Sequence, residues 1–202
     1  MHGLEKDTIG GFNRVLEENA AADGECNITT LLFSSDVHYL HDRIPVKGVH
    51  LITDRDYQVG GSTALLDAMG SAMLKMERII ASTDEAYRPG HVQFVIITDG
   101  YENASRKFSR EQIRSMVTCH QERDNWDFLF LGADMDAISV AESYGIHPDR
   151  AVSTISDSQS VEMAYGAVIH ANMYERSSSP SAPRTAAWKQ DVEQDTKSRS
   201  RQ

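Results

Sequence analysis

The sequence predicts a doubly wound, mostly parallel α/β sheet with one antiparallel edge strand, on three observations. Residues 92–98 (V-Q-F-V-I-I-T) form a nearly continuous, β-branched apolar run that stops at Asp99 and Gly100, as a buried parallel strand stops at a turn. Residues 126–132 (W-D-F-L-F-L-G) repeat the pattern, with Ala133 and Asp134 at the carboxyl end. Helix-period stretches separate these runs, and strands alternating with helices imply crossovers and parallel pairing.

Taken in order, residues 3–22 carry Leu4, Ile9, Phe12, Val15 and Leu16 close to one helical stripe, with Glu5, Asp7, Glu17 and Glu18 off it. Gly10 and Gly11 weaken this helix by roughly 1 kcal/mol each relative to Ala, which points to close packing. After a turn at Asp23 and Gly24, residues 26–33 and 37–44 read as strands joined so tightly that only an antiparallel hairpin fits. The second is more polar and suits a sheet edge. Its His38 and His41 invite a metal reading, but residues three apart on a strand point to opposite faces and do not converge.

Residues 45–61 have no clear period and read as a long surface connection. The next helix has Leu65, Leu66, Met69, Met73, Met76, Ile79 and Ile80 at its apolar positions, so its methionines are packing. Residues 82–90, with Pro89, form a loop, and Ser109 with Gln112 makes a capping box for a helix to about Glu122. A further helix reaches about Tyr144 and closes at Gly145. Residues 151–155 form the last strand, and 156–174 the last helix of the domain.

Composition narrows the function. The formal net charge is -10, and residues 1–176 hold 15 Lys+Arg against 27 Asp+Glu. Such a surface repels a phosphate backbone and tolerates cations, so nucleic acid is not an expected partner. Cys26 and Cys119 have no C-x-x-C spacing and read as reduced core residues, which favours a cytoplasmic location. No apolar run approaches the roughly 18 residues of a spanning helix, so no membrane role is expected. From Ser177 the composition turns to S-S-S-P-S-A-P-R and mixed polar residues, giving residues 1–176 as one domain and 177–202 as a disordered polar tail.

Two segments carry candidate chemistry. Asp99 follows the 92–98 strand, and ligands of open α/β sheets bind outside the carboxyl ends of the strands; the bland reading is an Asp-Gly turn. Upstream, Gly60-Gly61-Ser62-Thr63 leads into the helix at Leu65. Ser62 and Thr63 read either as N-caps, which spacing alone favours, or as hydroxyl ligands for a hard cation held by a glycine-supported loop.

The element order, with G-G-S-T-A-L-L-D-A and V-I-I-T-D-G-Y-E-N-A-S, resembles the Rossmann-like von Willebrand factor type A domain, and L-F-L-G-A-D-M-D-A is similar to phrases in its small stand-alone bacterial members. The likeness spans about residues 1–174. It implies a metal-ion-dependent adhesion site for Mg2+, with Mn2+ as an alternative, in which Thr63 and Asp99 are ligands and Gly61, Ser62 and Gly100 support the loops. It also implies a protein-binding module, not an enzyme, whose metal accepts a carboxylate from a protein partner.

The family's first central strand and its D-x-S-x-S motif precede the first helix, and both are missing here; Asp157-Ser158-Gln159-Ser160 has the wrong spacing. A start assigned to an internal Met would give such a chain. The expected consequences are an incomplete site and two inner ladders left unpaired or forced together, with each unpaired buried group costing about 1–3 kcal/mol. The other readings are a metal-dependent phosphoryl-transfer or hydrolytic enzyme recruiting Thr98, Asp99, Gly100 and Glu102, and a fragment without metal function. Against the enzyme, the sequence has no nucleophile beside a base and no P-loop.

Overall fold

The computed structural model describes residues 3–179 and 182–199, so the Met1-His2 start and the last three residues of the expected tail lie outside the described residues. The fold is α/β, with a two-stranded antiparallel sheet, β1 (Asn27–Phe33) and β2 (Val37–Pro45), and a three-stranded parallel sheet, β3 (Gln93–Thr98), β4 (Asp127–Ala133) and β5 (Ala151–Thr154). The helices are α1 (Glu5–Ala21), α2 (Leu65–Ser82), α3 (Arg110–Asp124), α4 (Ala137–Ser143), α5 (Ser158–Ser177) and α6 (Gln190–Arg199).

β4 is central and buried on both faces, which is why its sequence alternates nothing polar after Asp127. Its residues divide the core in two. Phe128 and Phe130 pack with Leu65, Met69 and Met73 of α2, Ile113 and Val117 of α3 and Ala137 of α4. Leu129 and Leu131 face Val15 of α1 and Val161, Tyr165 and Val168 of α5. The parallel sheet is therefore the middle of three layers.

The hairpin lies between the same two helices. His41 of β2 stacks on Phe12 of α1, while Lys75 of α2 stands 4.0 Å over the Tyr39 ring of β2. Phe33 of β1 reaches the α2 side of the core, so β1 is the inner strand. Among the described residues β1 pairs only with β2, and β3 only with β4, so hairpin and parallel sheet are two separate sheets and the expected single sheet with an antiparallel edge strand is not formed.

Several expectations are corrected. Ser62 and Thr63 do not cap α2: its N-cap is Ala64, without a side-chain cap. The 45–61 connection does run over the surface, and it is pinned at one point, where Asn13 donates to Ile52 O (2.9 Å) and accepts from Ile52 N (2.8 Å). Cys119 is exposed on α3 and Cys26 is half-buried, so neither is a core residue.

The expected disordered tail is ordered through residues 182–199. Trp188 and Val192 are buried, and the indole Nε1 of Trp188 donates to Asp149 O. Arg184 forks onto Glu175 and the carbonyl of Asn125. Two apolar side chains four residues apart are enough to seat one helix, but too few to change a segment's composition.

Candidate functional site

β3 ends at Thr98, whose buried hydroxyl donates to Gly100 O (3.0 Å) and accepts from Gly100 N (3.3 Å), closing a tight turn around Asp99. Asp99 is thereby exposed at the carboxyl edge of the parallel sheet. Thr63 is brought to the same place. A Cβ on Gly100 would lie 2.7 Å from Thr63 Oγ1, so the hydroxyl rests on a backbone that only glycine leaves open. The two loops also exchange hydrogen bonds: Thr63 N donates to Asn103 Oδ1 (2.8 Å), and Asn103 N donates to Thr63 O (3.0 Å).

Of the supporting residues, Ser62 is half-buried and Gly61 is exposed with open space about it. The close approach falls one residue earlier, where a Cβ on Gly60 would meet Ser34 at 2.5 Å.

Behind this edge, the free amides of α2 are satisfied from the 99–109 loop. Glu102 accepts from Leu66 N (2.9 Å), Ala104 N (2.9 Å), Ser105 N (2.7 Å) and the Ser105 hydroxyl (2.7 Å). Asp67 N donates to Ser105 Oγ (3.0 Å). In return the buried Asp67 carboxylate accepts from the amides of Arg106 (2.9 Å), Lys107 (2.8 Å) and Phe108 (3.1 Å). A helix N-terminus is thus capped by a loop, and a loop by a helix.

Both carboxylates stay ionised below their ordinary range. Burial pushes Glu102 up, but its amide and hydroxyl donors outweigh this and hold it down. Burial likewise raises Asp67, and the three loop amides with the Lys107 charge more than reverse it.

No family model, curated protein or solved structure matches the chain. Function must therefore be argued from the donors themselves. Thr63 and Asp99 offer one hydroxyl and one carboxylate, hard oxygens of the kind Mg2+ prefers. Among the described residues no group of three or more His, Cys, Asp and Glu side chains could hold a metal ion. The sequence pattern did not reveal Asp67 and Ser105, and Glu102 stood in it only as a candidate of the phosphoryl-transfer reading. An acidic residue in the first turn of a helix was the available signal for Asp67.

Proposed function

We propose that this chain is a cytoplasmic, non-catalytic, Mg2+-dependent protein-binding module of the von Willebrand factor A type, in which Thr63 and Asp99 hold the ion and a partner carboxylate completes it. The observation that carries the reading is the Thr63 hydroxyl resting on Gly100, beside Asp99, at the carboxyl edge of the parallel sheet. Two protein oxygens leave about four of the six octahedral positions to water or to the partner. The ion is therefore weakly held by the chain alone. No helix among the described residues is long and apolar enough to cross a membrane.

A phosphoryl-transfer or hydrolytic reading needs Glu102 as well, and that side chain is already taken by its four hydrogen bonds. The test is an NMR titration with MgCl2. Amide shifts centred on Thr63, Asp99 and Gly100 in the millimolar range, absent in Asp99→Ala, are expected. Shifts spread over the acidic surface and unchanged in Asp99→Ala would overturn the ion site.

A further inference from the structure

A groove of about 480 Å³ runs along the outer flank of α2, against β2 and the loop before α3. Its floor is apolar, formed by Tyr39, Leu74, Ile79 and Phe108, and its rim carries Lys75, Arg78 and Lys107. Lys75 is neutralised by Asp42 at 2.7 Å, while Arg78 and Lys107, the latter acting on the buried Asp67 carboxylate only through its field, leave the rim net positive on a chain whose net charge is -10.

The rim is held in place. Asp67 fixes the backbone at Arg106, Lys107 and Phe108 through three amides. Gly70 lets the Phe108 ring lie directly on α2, since a Cβ there would meet the ring at 2.6 Å. Lys107 therefore projects from a fixed backbone beside a seated aromatic ring, so binding need order its side chain but not its loop.

We propose that this groove docks a short acidic segment of a partner protein, with an apolar side chain on the Leu74, Ile79 and Phe108 floor and flanking Asp or Glu side chains on Arg78 and Lys107. Charge complementarity selects that occupant. From Ser71 to Ile79 the floor follows α2 for about 12 Å, two helical turns, which suits a few peptide residues. A nucleic acid needs an extended basic stripe, and here Asp42 neutralises Lys75 and leaves two cations. The groove is separate from the Thr63 and Asp99 edge, so it stands without the ion-site reading.

Fluorescence anisotropy of a labelled peptide of Glu, Asp, Leu and Phe tests the proposal. Controls are a peptide with Lys in place of the acids, a single-stranded oligonucleotide and anionic phosphatidylserine vesicles. Binding of the acidic peptide, measured with EDTA and no divalent cation so that no ion site contributes, that weakens about tenfold or more in Arg78→Glu with Lys107→Glu supports it. Both charge-reversed residues are exposed, and Lys107→Gln provides a milder second variant with a smaller loss. No binding of the acidic peptide at low salt, an affinity indifferent to the charge reversals, or tighter binding of the oligonucleotide or vesicles through the same residues would overturn it.

Discussion

At the scale of single residues, Asp67 is where the fold and the candidate site are joined. Its carboxylate is buried and satisfies three loop amides at once. Asp67→Ala leaves those donors without an acceptor and should cost about 2–3 kcal/mol. The pH dependence has a definite sign. Asp67 and Glu102 are both depressed in the folded state, so their contribution is fully present above the unfolded values of about 3.9 and 4.3 and is lost as pH falls through the lower folded values. Urea midpoints measured from pH 7 down to pH 3 should fall steeply below about pH 4, and less steeply in Asp67→Asn. Equal slopes for the two proteins would remove Asp67 from the acid response. The places of Thr63 and Asp99 at the ends of patterned elements were legible, and the structure brings the two loops together through the Thr63 and Asn103 hydrogen bonds. The joint that Asp67 and Glu102 make was not legible, because the Asp67 partners lie 39 to 41 residues away and the one Glu102 bond to α2 spans 36 residues, which no local pattern records.

At the scale of elements, the close approach of α1 to α5 is made at one glycine. A Cβ on Gly11 would enter the Tyr165 ring at 2.2 Å, while Gly10 has nothing within 4 Å. Adjacent substitutions should therefore have opposite signs. Gly11→Ala forces the helices apart at a cost of about 1–3 kcal/mol. Gly10→Ala gains helix propensity worth up to about 1 kcal/mol. Thermal melts of the two variants decide the matter, and shifts in the same direction would show that the close approach is not what Gly11 serves. The adjacent glycines announced tight packing, but only the partner helix says which of the two is used. The same distinction runs through the other elements. β3, β4 and the Ser109 and Gln112 capping box were readable because period, length and caps are local. Helix α6 was not, since its seat is made by Pro148, Asp149 and Ala151 and its own residues are mostly polar.

At the scale of the molecule, the parallel sheet has two unlike edges. The β5 edge is closed by side chains of the C-terminal segment: Lys189 Nζ donates to Ala151 O (2.8 Å), and the Thr196 hydroxyl donates to Ser153 O (3.2 Å). Such coverage protects an edge strand from pairing elsewhere. Among the described residues no strand pairs with the free edge of β3, and Val95 in the middle of β3 is 36% exposed although it belongs to an apolar strand. β1 lies across this break in pairing, in the other sheet, and none of its residues is buried. Local opening should follow this asymmetry, because amides without a ladder partner exchange through small fluctuations and those inside a ladder only through larger ones. Native-state hydrogen exchange should find β4 slowest, β5 nearly as slow, and the β3 and β1 amides directed into the break fastest among strand amides. Trp188→Ala with Val192→Ala, which loosens α6, should speed β5 while leaving β1 and β3 unchanged. If β1 and β3 are instead as protected as β4, the two sheets join into one ladder in solution, and the break between them is closed.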